Sequence, residues 1–310
     1  MFSRILLIFI LLSSMARADS FLHASFDITR ELFREINEEF LKENGPGVKI
    51  RQSHGGSGKQ TSSVIHGLPA DVVSLALPYH MDLLANEGRV AKNWRELYPN
   101  NSSPFTTSIA FLVRKGNPKN IKDWSDLVRP EVKVITANPK TSGGALWNYV
   151  AAWIYASKSF QDDEKLVQEY MRKLYRNAPV LDSTARGAAV TFIKRKLGDV
   201  LITWANEAQY MMANLDSDYE IIYPSLTVKI SIPVAVVVTS KKSYQELANQ
   251  YINFLFSSKG QEIISKFYYK GYAEQSLGNG EVVNADDYID WKKFKNKHFS
   301  EHGVFDQIYE

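Results

Sequence analysis

The hydrophobic pattern of this chain alternates between two spacings, that of buried strands and that of helices apolar on one face. SFLHASF (residues 20–26) predicts a strand, and ADVVSLAL (70–77) is a near-continuous apolar run, as expected for a buried parallel strand. The segment between them places on one helical face the apolar residues Ile28, Leu32, Phe33, Ile36, Phe40 and Leu41.

The alternation continues to the C-terminal part of the chain. Strands are predicted at TSIAFLVRKG (107–116), VKVITAN (132–138), DVLITW (199–204), YEIIYPS (219–225) and VKISIPVAVVVT (228–239). Helices are predicted at 145–160 and 162–178, and two more within 243–272, separated near residues 257–260. Strands that alternate with helices predict an α/β fold with mostly parallel sheets.

The length of 310 residues predicts two lobes. The chain would cross between them in extended segments near Phe105–Phe111 and near Pro224–Ile230. Residues 19–107 and 228–310 would then form the first lobe, and residues 108–227 the second.

The first 18 residues have the layout of a secretory signal peptide. Arg4 precedes the apolar run Ile5–Leu12, which is too short to span a bilayer, and the segment ends in Ala16-Arg17-Ala18. We expect cleavage after Ala18 and a periplasmic mature protein. The chain has no cysteine, which excludes disulfides, thiolate catalysis and a lipid anchor, and its formal charge of +3 provides no basic field for nucleic acid.

The glycine-rich turn RQSHGGSGKQ resembles a nucleotide-binding phosphate loop but fails its pattern. Ser53 stands where the first glycine is needed, and Gln60 replaces the serine or threonine that binds magnesium. Small residues before a helix still expose unpaired backbone N–H groups and the positive end of the helix dipole, which favour an anion. A single such turn is also explained as a capped helix start that binds nothing.

The arrangement recurs along the chain. Ser142-Gly143-Gly144 and Ser183–Gly187 each follow a predicted strand and precede a predicted helix, and Asp27 occupies the N-cap position of the first helix. Ligands of open α/β sheets bind at the carboxyl ends of strands, where these turns lie. Together they predict a cage of N–H donors for a small oxyanion.

These motifs resemble those of the periplasmic sulfate- and thiosulfate-binding proteins of bacterial ABC importers. The matching segments, in order and over essentially the whole mature chain, are RQSHGGSGKQ, NPKTSGGALWNY, LDSTARG, DVLITWANEA and GVFDQIYE. The resemblance implies a type II periplasmic binding protein of two lobes with the ligand in the cleft between them. It also implies capture of sulfate, or thiosulfate, for a membrane permease, without a cofactor and without catalysis, by a protein that we expect to be a monomer.

The resemblance implies the site residue by residue. Matching positions assign the donors to the backbone N–H groups of Asp27, Ser57, Gly143, Gly144 and Ala185, the hydroxyl of Ser57 and the indole N–H of Trp204. Arg186 would support the site from behind, and His54 and Asp182 would orient its turns. Leu146 departs from the family, many of whose members have arginine there, so the charge near the cleft differs.

The residues fit several other functions less well. A hydrolase would pair Ser57 with His54, but GGSGK is not a nucleophile elbow. His298 and His302 are four residues apart without an apparent third metal ligand, and we expect a solvated tail there. Ferric ion bound by Tyr268-Tyr269 would leave the glycine turns unexplained, and a polyamine would need a ring of carboxylates and aromatic residues. Molybdate stays open as an alternative ligand. A donor-only cage also predicts weak binding of phosphate, which carries a proton at neutral pH.

Overall fold

The computed structural model describes residues 20–44, 49–214, 218–238, 242–274, 276–278 and 280–309. The predicted signal peptide lies outside these residues. Within them, no helix is long and apolar enough to cross a membrane.

The strands are, in chain order, β1 (Ser20–Phe26), β2 (Lys49–Gly55), β3 (Val72–Ser74), β4 (Phe105–Thr107), β5 (Ile109–Arg114), β6 (Val134–Ala137), β7 (Leu181–Asp182), β8 (Val200–Trp204), β9 (Tyr219–Ile222), β10 (Leu226–Val228), β11 (Ile230–Ser231), β12 (Val234–Val236), β13 (Lys270–Gly271) and β14 (Glu281–Val283).

The α-helices are α1 (Arg30–Asn44), α2 (Ser57–Ile65), α3 (Pro78–Asn86), α4 (Pro99–Ser102), α5 (Gly143–Ser159), α6 (Glu164–Arg176), α7 (Ala185–Ile193), α8 (Ala205–Asn214), α9 (Lys242–Phe256), α10 (Ser258–Lys266), α11 (Trp291–Phe299) and α12 (Val304–Tyr309). Short 3-10 turns cover Asp27–Thr29, Trp94–Glu96, Trp124–Val128 and Ala285–Asp287.

Two mixed sheets form the framework of the fold. The first sheet has the order β12-β3-β1-β2, in which β1 is parallel to β2 and β3 and only the edge strand β12 is antiparallel. The second sheet has the order β7-β6-β8-β5-β9; β6 is parallel to β7 and β8, whereas β5 is antiparallel to β8 and β9. The α/β class is confirmed, with more antiparallel pairing than the alternation of elements indicated.

The prediction of one continuous strand over residues 228–239 is wrong. It divides among β10, β11 and β12, which pair with β14, β4 and β3, in three different sheets. Pro233 lies between β11 and β12 and has no N–H to donate to a ladder, so the strand cannot continue through it.

The two predicted crossing segments lie side by side. Thr107 of β4 pairs with Ile230 of β11, and the N–H of Ile109 donates to the Thr227 hydroxyl at 2.8 Å. Strand β4 lies between β3 of the first sheet and β5 of the second, and β11 precedes β12 of the first sheet. This short ladder therefore connects the two halves of the molecule, each of which is built on one of the two mixed sheets.

The helices cover the sheets with the apolar faces that the sequence predicts. On α1, Leu32, Phe33, Ile36 and Phe40 are buried, and the Phe40 ring lies 5.2 Å from that of Tyr251. Gly45 and Pro46, residue types that commonly end a helix, lie outside the described residues.

The C-terminal histidine prediction is wrong, because His298 is buried rather than solvated. Its Nδ1 lies 2.8 Å from the Tyr149 hydroxyl, and its ring stacks on Phe294 at 3.9 Å between centroids. His302 lies beyond the end of α11 and is exposed. In the described ranges no group of three or more histidine, cysteine, aspartate or glutamate side chains could hold a metal ion.

Candidate functional site

Three helices begin at the predicted turns, each after a strand. Helix α2 begins at Ser57 beyond β2, α5 begins at Gly143 beyond β6, and α7 begins at Ala185 beyond β7. Because β2 belongs to the first sheet and β6 and β7 to the second, the helix starts come from both halves of the molecule.

The capping residues leave the first N–H groups of these helices unused. The Ser142 hydroxyl accepts from the N–H of Ala145, the third residue of α5, at 3.2 Å, and Thr184 does the same for Gly187 of α7 at 3.0 Å. Helix α2 has Gly56 as its N-cap and therefore no capping side chain. Since the first N–H groups of a helix have no partner within it, α2 and α5 each offer at least two donors to a ligand. Helix α7 offers the N–H of Ala185, because the N–H of Arg186 is bonded to the Asp27 carboxyl.

The helix starts approach one another so closely that glycine is required. A β-carbon added to Gly143 would lie 2.9 Å from Cβ of Ser57 and 2.9 Å from Cδ1 of Leu77. One added to Gly144 would lie 3.3 Å from Cβ of Ala185 and 3.8 Å from the Trp204 ring. The structure thus brings Ser57, Gly143, Gly144, Ala185 and Trp204 together.

Trp204 ends β8 with an unpaired donor. Its side chain is 2% exposed, its ring lies 5.7 Å from that of Phe26, and its indole Nε1 has no hydrogen-bond partner among the described residues. A buried indole N–H normally finds an acceptor. Its isolation among helix starts indicates an acceptor that is not part of the chain.

Asp27 lies beside the same helix starts, although not as the N-cap that the sequence predicts. It is the first residue of a 3-10 turn whose N-cap is Phe26. Burial raises the pKa of its carboxyl, whereas the N–H of Arg186 and the hydroxyl of Thr184 act in the opposite direction. These partners place Asp27 at the start of α7, and its Oδ2 has no hydrogen-bond partner within the described ranges.

A cavity of about 10 Å³ opens beside the starts of α5 and α7 and the end of β8, and Asp27, Ser57 and Gly143 are not among its lining residues. A volume of this size accommodates about one water-sized sphere, so the site suits a small ligand. Neither lysine nor arginine is among its lining residues, which are Ile28, Ala137, Gly144, Ala145, Asn148, Ala185, Ala188, Ile202, Thr203, Trp204, Glu207 and Met211. The charged side chain that lines this cavity is Glu207.

The predicted supporting residues surround the turns. Arg186 donates to Glu31 at 2.6 Å and connects α7 to α1 across the two halves of the molecule. His54 lies 2.8 Å from the Ser25 hydroxyl and 3.0 Å from the Gln52 amide oxygen. Cβ of Asp182 would lie 3.1 Å from a β-carbon at Gly187, close against the start of α7.

Leu146, the position at which the resemblance implied a departure from the family, lies on α5 and is buried in the core. It therefore brings no charge to the site.

The predicted alternative of a Ser57–His54 pair is not formed. Ser57 instead lies with its Oγ 2.8 Å from Nδ1 of His80, a residue that the sequence analysis missed. Burial lowers the pKa of His80 to about 3, so at neutral pH its ring is uncharged and a weak base. His80 could have been found from the pattern used for the other turns, because it follows the buried strand β3 and lies near the start of α3.

The Ser57 hydroxyl can serve an anion only in one hydrogen-bond arrangement. Its oxygen already accepts from the N–H of Ala76 at 3.1 Å. If His80 carries its proton on Nδ1 and donates as well, the hydroxyl proton is free to point at the ligand. If Nδ1 of His80 is unprotonated, it accepts the hydroxyl proton of Ser57, which is then not available to the anion.

We expect that replacing His80 with phenylalanine weakens anion binding by about 2- to 10-fold, the effect of one neutral hydrogen bond. The same replacement in a Ser57→Ala background should have almost no further effect, because the hydroxyl that His80 orients is gone. Calorimetric titration of the two single variants and the double variant measures this coupling. Additive losses would show that His80 acts on the fold rather than on Ser57.

The sequence matches a family model and several curated proteins over most of its length. Residues 25–270 match the model described as bacterial extracellular solute-binding protein. The chain is 46% identical to a sulfate-binding protein of Escherichia coli, covering 96% of this chain and 94% of the relative. It is 40% identical to a thiosulfate-binding protein of Pseudomonas aeruginosa, covering 94% and 92% of the two chains.

The fold is also similar to that of solved structures. The sulfate-binding protein SubI from Mycobacterium tuberculosis superposes with a TM-score of 0.81 at 27% identity, covering 91% of this chain and 99% of that one. This similarity confirms the two-lobed type II architecture.

Proposed function

This chain belongs to the family of bacterial extracellular solute-binding proteins, and we propose that it captures sulfate, or thiosulfate, for an ABC importer. The observation that carries the proposal is the buried indole N–H of Trp204, which has no acceptor among the described residues and lies where the starts of α5 and α7 meet. The sulfate-binding and thiosulfate-binding relatives support the same ligand class.

The proposed ligands of the anion are neutral donors. They are the N–H groups of Asp27, Ser57, Gly143, Gly144 and Ala185, the Ser57 hydroxyl and the Trp204 indole. Burying an isolated charge is very unfavourable, whereas each hydrogen bond to a charged group contributes about 1.5–3 kcal/mol. Several fixed donors are therefore needed, and backbone N–H groups at helix starts are already held in place.

Contacts between the two halves support capture by closure. We propose lobes of residues 19–107 with 228–310, and 108–227, that move about the β4–β11 ladder. In the closed arrangement the Trp147 indole donates to the Ala76 carbonyl at 2.6 Å, and Arg186 pairs with Glu31. Because a tetrahedral ion needs more room than one water, we expect the filled closed form to hold the two halves slightly further apart than they are here. An anion that is bound better by the closed form shifts the population toward it.

The proposed setting is the periplasm, after cleavage of the signal peptide behind Ala18. The closed, loaded protein would deliver its ion to a membrane permease. Because ATP hydrolysis belongs to other subunits of such importers, no reaction is assigned to this chain.

We expect calorimetric titration of the mature protein at pH 7 to show one-site binding of sulfate and thiosulfate and at least 10-fold weaker binding of phosphate. All the proposed ligand groups are donors, so a protonated phosphate species would leave its own donor unpaired among them, which costs about 1–3 kcal/mol. Sulfate carries no proton at this pH. Equal affinities for sulfate and phosphate would contradict the donor-only cage.

Two further titrations separate the alternatives. Molybdate, which is also a tetrahedral dianion, is titrated alongside and should bind more weakly than sulfate. Added chelator should leave sulfate binding unchanged, whereas a ferric-binding protein would lose its ligand. Absence of heat with both sulfate and thiosulfate would overturn the proposed function.

A further inference from the structure

Glu207 is a charged residue placed where an anion site should have none. It lies in the first turn of α8, three residues after Trp204, and lines the same cavity as Trp204, Gly144 and Ala185. Its Oε1 accepts a hydrogen bond from the Asn206 side-chain amide at 3.1 Å. Nothing in the proposed donor set explains a carboxyl group in this position.

The groups that face Glu207 do not neutralise it. From the first half of the molecule, Asp27 and Glu31 add negative charge, and from α7 the Arg186 guanidinium adds positive charge but is paired with Glu31. With all three carboxyls ionised, this cluster would carry a net charge of −2 before any anion arrived. Tyr269, which also faces Glu207, stays neutral because burial raises its pKa well above the usual value.

The protonation state of Glu207 follows from this environment. Glu207 is partly buried. Loss of solvation first, and then the charges of Asp27 and Glu31, raise the pKa of its carboxyl to about 8. A dianion placed beside the same carboxyl would raise its pKa further, because a like charge disfavours the ionised form. The group therefore holds its proton more tightly when the site is filled.

We infer that Glu207 determines anion affinity by its proton: the cage accepts the dianion with Glu207 neutral, so capture in alkaline solution takes up one proton. This inference rests on the proposed function. In the neutral form the carboxyl adds no charge and can donate a hydrogen bond, which keeps the cavity free of anionic acceptors. In the ionised form it repels the ligand.

The sign of the pH dependence follows from linkage. Below about pH 8, Glu207 is protonated in both the free and the filled protein, and the affinity does not change with pH. Above this value the free protein loses the proton while the filled protein keeps it. The affinity then falls by up to about 10-fold per pH unit until the carboxyl of the filled protein also ionises.

The test is calorimetric titration of the full mature protein with sodium sulfate at pH 6, 8 and 9.5, in pairs of buffers with different heats of ionisation. Wild-type protein should bind about 10-fold more weakly at pH 9.5 than at pH 8 and take up close to one proton per ion. The Glu207→Gln variant, which cannot ionise, should change less than 2-fold and take up almost none. Glu169→Gln, on the exposed face of α6, makes the same charge change and should behave as wild type.

The outcomes separate the role of Glu207 from the proposed function. Wild-type affinity and proton uptake that do not change with pH, or a Glu207→Gln variant with the full wild-type fall, would overturn the role of Glu207 and leave sulfate capture standing. Absence of binding of both sulfate and thiosulfate by wild-type protein at pH 6 would overturn the proposed function itself. Should Glu207→Gln not fold, ¹³C NMR of glutamate-labelled wild-type protein provides the readout, as one glutamate carboxyl should become protonated on sulfate addition at pH 9.5; a spectrum without this change would overturn the inference.

Discussion

Replacing Gly143 with leucine is expected to lower sulfate affinity by at least about 100-fold while the protein stays folded. The added side chain has no space in the closed arrangement, because even its β-carbon would lie 2.9 Å from Ser57 and Leu77 and 3.0 Å from Cβ of Ala76. These three neighbours come from the first half of the molecule, and Gly143 from the second. The substitution therefore holds the cleft open rather than disrupting either sheet.

Calorimetry measures the affinity, and a thermal melt without sulfate measures the fold. Gly143→Ala, with one carbon instead of four, should have an intermediate effect of about 10-fold. Gly58→Ala is the matched control, since its β-carbon would meet only ordinary contacts, 3.7 Å from the His80 ring, and its affinity should change less than 3-fold. Wild-type affinity in Gly143→Leu would contradict the assignment of the cleft.

Replacing Trp204 with phenylalanine is expected to weaken sulfate binding by about 10- to 100-fold without destabilising the free protein. The change removes one hydrogen bond to a charged group, about 1.5–3 kcal/mol, and keeps an aromatic ring against Phe26. In the free protein the lost N–H was an unpaired buried donor, so its removal leaves no partner behind.

Trp124 provides the opposite case for comparison. It is also fully buried, but its indole donates to the Leu226 carbonyl at 2.8 Å. Trp124→Phe should therefore lower the melting temperature and leave sulfate affinity within about 3-fold, because the carbonyl is left without its donor. If both tryptophan variants lose stability and keep their affinity, the Trp204 indole is a structural group and not a ligand.

The sequence predicted the elements with strong periodicity and the turns with an uncommon composition. The strand Ser20–Phe26 and the helix α5 have the expected positions, because an apolar repeat and a Ser-Gly-Gly start are both local signals. The prediction was wrong where tertiary pairing decides, as at 228–239, where one apolar run supplies three sheets.

Two site residues were missed for the same reason, because tertiary structure brings them to the site. His80 reaches Ser57 across 23 residues of sequence, and no motif joins the two. Glu207 could have been noticed, because it lies one helical turn beyond Trp204, but its effect depends on Asp27, Glu31 and Arg186, which only the fold assembles. Charge interactions between distant segments have no counterpart in local sequence patterns.

The helix starts of α2, α5 and α7 have a consequence for how this site should be mapped. Replacing a side chain does not remove a main-chain N–H group, so an alanine scan would not detect most of the proposed donors. Ala185 is already alanine, and alanine at Gly143 would test a steric conflict instead of a lost donor. Replacement of single peptide units by esters, which deletes an N–H and keeps the side chain, is the substitution suited to this kind of site.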